Sequence, residues 1–243
     1  MSVTRVQEWV LIGCGLIAHA DEILDIGEWD EMLRLVAEVI SEEQDAAIWR
    51  ALLADQDAVE ERFAGLIPPA AEHYEEILRR CWSMALVDGG DSEIEATVYE
   101  RVVQALGADE ALATKWREAW DEAALHRAEM TAGLAAAFAN LDGELGFSEA
   151  IHFDNLLERL PVPIGHRLEL ATLLHKPPKL EPLASALAEL ALDERVQVLH
   201  QLVPLVNSSE RGGREQAALY ELAADVGVPR ATIEALLGSG TAR

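Results

Sequence analysis

Cysteine is nearly absent: Cys14 and Cys81 are the two in 243 residues, too few for a disulfide framework, which fits a reducing compartment. Aromatic residues make up 5% of the chain and β-branched runs are scarce, so the segments that would mark strands are missing. No Gly-x-Ser-x-Gly elbow, phosphate loop or kinase motif set occurs, and no Ser or Cys has an assignable base, so the chain is not expected to be an enzyme. The seven histidines form no His-x-x-x-His pair. Basic aromatic patches are missing as well. The segment His175-Lys176-Pro177-Pro178-Lys179 is a short basic linker, and direct nucleic-acid binding is not expected.

What is present favours helix. Half of the residues are apolar and the strong helix formers Ala, Leu and Glu dominate, so the expected fold class is all-α. The length suits one large domain or two small ones. Net charge is -25 and unevenly placed. Nine Lys and Arg stand against 28 Asp and Glu through residue 125, a net of -19, and ten stand against 16 thereafter, a net of -6. Such a field repels phosphates and anionic lipid. The partners it admits are cations, a basic protein surface, or the site of a nucleic-acid-binding protein that this surface imitates; solubility alone is the plainer reading.

The first twenty residues resemble a signal peptide, with Arg5, an apolar run Trp9–Ala18, and Ala18-His19-Ala20 placed like a cleavage site. Against this, Glu8 flanks the run, the run is too short to span a membrane, and the segment recurs inside the chain as a repeat. A cytoplasmic protein without membrane insertion is expected.

Self-comparison aligns four segments, each an apolar helix end, an acidic connection and a new helix. They are Leu16-Ile17-Ala18-His19-Ala20-Asp21, Met84-Ala85-Leu86-Val87-Asp88-Gly89, Ala137-Phe138-Ala139-Asn140-Leu141-Asp142-Gly143-Glu144, and the degenerate Leu202-Val203-Pro204-Leu205-Val206-Asn207. The following helices carry apolar residues at helical spacing: Met32, Leu35, Val36 and Val39; Val98, Val102 and Leu106; Phe153, Leu156, Leu157 and Leu160. Stop signals follow at Gly107, at Pro161 with Pro163, and at Gly227 with Pro229. Asp21 to Asp88 spans 67 residues and Asp142 to Asn207 spans 65, while Asp21 to Asp142 spans 121 and Asp88 to Asn207 spans 119. A two-unit domain has been duplicated, with Pro68-Pro69 and Pro177-Pro178 between the halves. The expected domains are residues 1–127, acidic and carrying all six tryptophans, and residues 128–243.

An acid recurs seven positions after the loop Asp in three units, giving Asp21 with Glu28, Asp88 with Glu95, and Asp142 with Glu149; the fourth has Asn207 and Arg214. Carboxylates from the end of one helix and the first turn of the next can supply hard oxygen ligands to Ca²⁺, Mg²⁺ or Mn²⁺, with Asp91 and Glu144 adding to the set. The loop is too short for an EF-hand. The alternative is capping. Asp25 and Ser92 are good N-caps, and Glu28 and Glu95 three residues on complete capping boxes that need no metal. Both readings stand on the sequence.

The run Ala137–Glu149, with Asp142-Gly143-Glu144 and Ser148-Glu149, resembles the acidic signature of TerB-like (tellurite-resistance) domains, and Ala85-Leu86-Val87-Asp88-Gly89 is a second match. The resemblance covers nearly the whole chain in two copies. It implies a helical bundle of four helix-loop-helix units in two tandem domains, and an association with tellurite resistance, metal stress and phage defence. It also implies divalent-cation binding at the loop acids, here Asp21, Glu28, Asp88, Asp91, Glu95, Asp142, Glu144 and Glu149. The first unit has Glu22 where the family has Gly, and the fourth lacks both acids at these positions, so it is expected to be structural. A non-enzymatic scaffold for a protein partner is the leading expectation. An acidic nucleic-acid mimic that binds a basic protein is the alternative, and a divergent metal-dependent enzyme a third.

Three further features read as structural. Gly13-Cys14-Gly15 fits a loose dinucleotide fingerprint but lies within a helix, where small residues allow close packing. Cys14 and Cys81 each precede a loop Asp by seven residues and read as small buried side chains. His19 and His152 lie nearest the loops but read as ordinary half-buried histidines, and most tryptophans as packing.

Overall fold

A computed structural model describes residues 3–21, 24–87, 93–141, 143, 145–208 and 213–239. Among these the chain is all-α, with thirteen α-helices, two short 3-10 turns and no strand. No helix among the described residues is long and apolar enough to cross a membrane. Two compact units divide the chain, Met1–Ala123 and Ala124–Arg243, each with its own apolar core.

The first unit contains α1 (Arg5–Ala18), α2 (Ile26–Val39), α3 (Glu43–Leu53), α4 (Gln56–Ala64), α5 (Tyr74–Ala85) and α6 (Glu93–Leu106). The division falls inside α7 (Glu110–Ala139), a continuous helix of 30 residues. The second unit continues through α8 (Phe147–Arg159), α9 (Ile164–Ala171), α10 (Leu180–Glu189), α11 (Leu192–Ser208), α12 (Gly213–Asp225) and α13 (Arg230–Ser239). The four aligned segments are the helix pairs α1–α2, α5–α6, α7–α8 and α11–α12.

The apolar run at the N-terminus is a core helix. All ten residues Trp9–Ala18 are buried, because α1 is apolar on every side and packs against α2, α4, α5 and α6. Gly13 permits the closest of these approaches: a Cβ there would stand 2.5 Å from Cys81 Sγ on α5. Its start is held by a capping box between Thr4 and Gln7 that the sequence reading did not single out. In the second unit the C-terminal half of α7 has the same character, with Ala132, Leu134, Ala135, Ala136 and Phe138 buried.

The helix after each loop buries one stripe. Met32, Leu35 and Val36 face the core from α2, and Tyr99, Val102, Val103 and Leu106 from α6. Phe153, Leu156 and Leu157 do so from α8, and Leu219, Leu222 and Ala223 from α12. Each Val, Leu, Phe or Met side chain so removed from water contributes about 1.5–3 kcal/mol.

The glycine stops act through backbone conformation. Gly107 has φ +71° and Gly227 has φ +74°, a region closed to most L-residues. At α6 the N–H of Gly107 donates to Gln104 O at 3.0 Å and that of Ala108 to Val103 O at 3.1 Å. At α12, Gly227 donates to Ala224 O at 3.2 Å and Val228 to Ala223 O at 2.8 Å, the same Schellman pattern. Pro204 does not end α11: it is exposed within the helix, which runs on to Ser208.

Candidate functional site: the acidic connections between paired helices

Each second helix of a pair opens on a glutamate in its third position. In α2 this is Glu28, following the N-cap Asp25. In α6 it is Glu95, in α8 it is Glu149 after the N-cap Gly146, and in α12 it is Glu215. The shared cause is register. Each glutamate precedes its helix's buried stripe by four residues, ahead of Met32, Tyr99, Phe153 and Leu219 respectively, so it continues the core-facing line by one turn. Glu28, Glu95 and Glu215 are accordingly buried, at 5%, 5% and 4% exposure, and Glu149 is half-buried.

This corrects the reading of the fourth unit. That unit has not lost its acid; its connection is one residue longer, and Glu215 rather than Arg214 occupies the equivalent place. Counting from the loop Asp missed it. Counting back from the apolar stripe, Leu219 and Leu222, finds it in the sequence.

What holds these carboxylates differs between units. Asp25 Oδ1 accepts from Gly27 N at 2.6 Å, while Glu28 Oε2 accepts from Asp25 N at 2.9 Å, a complete capping box at the positive end of α2. Glu149 folds back over its own helix start, its Oε2 lying 1.9 Å from where a Cβ on Gly146 would be, so the glycine makes room for the carboxylate. Glu215 is the exception. Among the described residues its Oε2 is buried without a hydrogen-bond partner, as is Nδ2 of Asn207 in the same unit. An unmatched buried carboxylate oxygen is costly unless a cation or a donor reaches it.

Of the nominated loop acids, Asp21 is exposed in the turn after α1, and Asp88, Asp91, Asp142 and Glu144 lie outside the described residues. Ser92, expected to cap α6, lies outside them too. Among the described residues no three His, Cys, Asp or Glu side chains gather as a metal site.

The neighbouring groups have structural work. His19 is buried and its Nε2 donates to Leu53 O at 2.8 Å, tying the end of α1 to the end of α3. His152 is half-buried on α8. Cys14 and Cys81 are free and wholly buried. The Cys14 thiol is held well above the usual thiol range, first by its hydrogen bond with Cys81 and then by burial, so it stays protonated. Trp9 and Trp82 are core residues, with Trp9 Nε1 donating to Ile67 O at 2.9 Å and Trp82 Nε1 to Asp121 Oδ1 at 2.5 Å. Trp116 and Trp120 stack with ring centroids 6.3 Å apart, half-buried on α7.

No family model, no curated protein and no solved structure matches the chain.

Proposed function

We propose that this is a non-enzymatic TerB-like stress or defence protein, related to tellurite resistance, that holds a divalent cation at its acidic inter-helix connections and scaffolds partner proteins on its helical surface. The observation that carries the cation reading is the glutamate at the third position of all four second helices, three of them buried, one with an oxygen that has no hydrogen-bond partner among the described residues. A buried carboxylate that its own helix does not satisfy calls for positive charge.

The units fit a cation unequally. In the first, Asp25 and Glu28 already accept from their own helix start, which leaves less of that carboxylate pair to offer an ion. In the second and third, Glu95 would act with Asp88 and Asp91, and Glu149 with Asp142 and Glu144. In the fourth, Glu215 would supply the carboxylate. The ion would contribute charge neutralisation and a cross-link between paired helices, with Ca²⁺, Mg²⁺ or Mn²⁺ the matching hard cations.

The scaffolding part is supported by large apolar side chains left in water. Phe147 and Ile151 stand 84% and 42% exposed one turn apart on α8, and Ile164 and Leu168 stand 76% and 71% exposed one turn apart on α9. Apolar pairs of this kind suit a protein partner. The first half's net charge of -19 also favours the alternative, an acidic nucleic-acid mimic binding a basic protein.

Calorimetric titration of metal-free protein with each cation, at an ionic strength of about 0.15 M to screen diffuse attraction, tests the cation reading. Saturable binding is expected, lowered in stoichiometry by Asp88→Ala with Asp142→Ala and lowered further when Glu215→Gln is added. Absence of saturable binding, or binding untouched by these changes, overturns it. Salt-sensitive binding to a basic protein, indifferent to Asp88 and Asp142, is the signature of the mimic.

A further inference from the structure

The first turns of α2 and α6 leave large apolar side chains in water. Ile26 is 77% exposed and Ile94 51% exposed, while the same helices bury Met32 and Leu35, and Val102 and Leu106. Register is the cause. Glu28 and Glu95 take the inward line at these helix starts, and Ile26, two residues before Glu28, and Ile94, one before Glu95, are turned from it by about 200° and about 100°. Each isoleucine continues a half-buried apolar neighbour on its own helix, Trp29 three residues after Ile26 and Val98 four after Ile94.

The two helix starts share one end of the first unit. A Cβ on Gly27 would stand 3.4 Å from Cγ1 of Val87, the half-buried residue just past α5, so the start of α2 adjoins the connection that leads into α6. The capping box of Asp25 and Glu28 holds the turn that carries Ile26.

What surrounds the isoleucines is of one sign. Residues 20–33 hold six Asp and Glu, residues 86–100 hold five, and neither stretch holds a Lys, Arg or His. Asp21, Asp25, Asp30 and Glu93 are exposed. The first bases along α2 and α6, Arg34 and Arg101, are paired with Glu31 and Glu60. A second copy of this chain, with a net charge of -25, would bring like charge to this end, and an anionic lipid surface would do the same. A partner that carries apolar side chains beside positive charge matches both features. Its apolar residues cover the isoleucines while its Lys or Arg face the carboxylates.

We propose that this end of the first unit docks a basic amphipathic helix of a partner protein, with Ile26 and Ile94 as the apolar contacts and the acids around them selecting its charge. The proposal rests on the partner-binding half of the function above and not on its cation. It differs from nucleic-acid mimicry in needing an apolar anchor, since mimicry works through charge alone.

The experiment is calorimetric titration of the metal-free full chain at about 0.15 M salt with an amphipathic peptide of about 14 residues, Leu on one helical face and Lys on the other. One control peptide carries Ser in place of Leu, and a second carries Glu in place of Lys. Saturable binding of the Leu/Lys peptide is expected, with each control at least about 10-fold weaker. Ile26→Ser with Ile94→Ser is expected to weaken binding about 10-fold or more while melting as the parent does, because neither side chain belongs to the core. Asp21→Asn with Glu93→Gln is expected to weaken it a few-fold and to flatten its salt dependence. Phe147→Ser with Leu168→Ser, in the second unit, is expected to leave the affinity unchanged. No saturable binding, equal binding of the Ser control, or full affinity in Ile26→Ser with Ile94→Ser overturns the proposal. So does self-association of the parent that this pair of changes abolishes, which would give the surface to a second copy. Loss confined to Phe147→Ser with Leu168→Ser overturns this site while leaving partner binding on the helical surface in place.

Discussion

His166 shows how much a single half-buried side chain depends on its neighbours. It stands on α9 with Nδ1 at 3.0 Å from Glu169 and Nε2 at 2.8 Å from Glu129 on α7, an imidazole between two carboxylates. Its pKa is raised, first by the hydrogen bond to Glu169 and then by that to Glu129. Because the folded value lies above the unfolded one, near 6.5, the contribution to stability is fully present below about pH 6.5 and fades as pH rises through the raised folded value. Urea unfolding of the parent and of His166→Gln is therefore expected to differ most in mildly acidic solution and to converge in the alkaline range. A difference that grew with pH would contradict the assignment. The group is half-buried at the surface, between carboxylates that water reaches, so the effect is small and screened by salt. The four helix-opening glutamates are the contrasting case. They face the core because they continue the apolar stripe by one turn, and that placement was legible once Met32, Tyr99, Phe153 and Leu219 were taken as the reference.

Among the elements, the second helix of each pair follows a common plan: a glutamate in the first turn, an apolar stripe and, in all but α2, a glycine or proline stop. Gly107 and Gly227 end α6 and α12 with the same left-handed residue and the same pair of backbone hydrogen bonds. Gly107→Ala and Gly227→Ala are each expected to lower stability by about 1–2 kcal/mol, the steric cost of placing a Cβ at positive φ, read from denaturant midpoints. No atom stands within 4 Å of a Cβ added at Gly107, so a penalty there would come from backbone conformation alone. α7 runs on without punctuation around residue 127: the stretch holds neither Gly nor Pro, and helix formers such as Ala, Glu and Leu continue the helix. Within α11, Pro204, exposed to water, removes a single backbone hydrogen bond without ending the helix.

For the whole molecule, two cores account for folding, and the surface carries what they do not use. Phe147 and Leu168, 84% and 71% exposed, add little to either core. Replacing both with Ser is expected to move the unfolding free energy by no more than about 0.5 kcal/mol per site while lowering self-association or partner binding, measured by denaturation and by sedimentation. A large loss of stability would instead make them packing residues. The all-α class, the four helix pairs, the stripes and the glycine stops were determined by the sequence itself, because each depends on periodicity and backbone preference acting over a few residues. Other features were decided only by tertiary packing: the thiol of Cys14 against that of Cys81, the buried ring of Tyr99 edge-on to Trp82, and the Arg117 guanidinium over the Trp82 ring. Those depend on which faces of α1, α5, α6 and α7 meet and how closely. A one-dimensional pattern fixes the face a helix buries, but not the side chain it finds there.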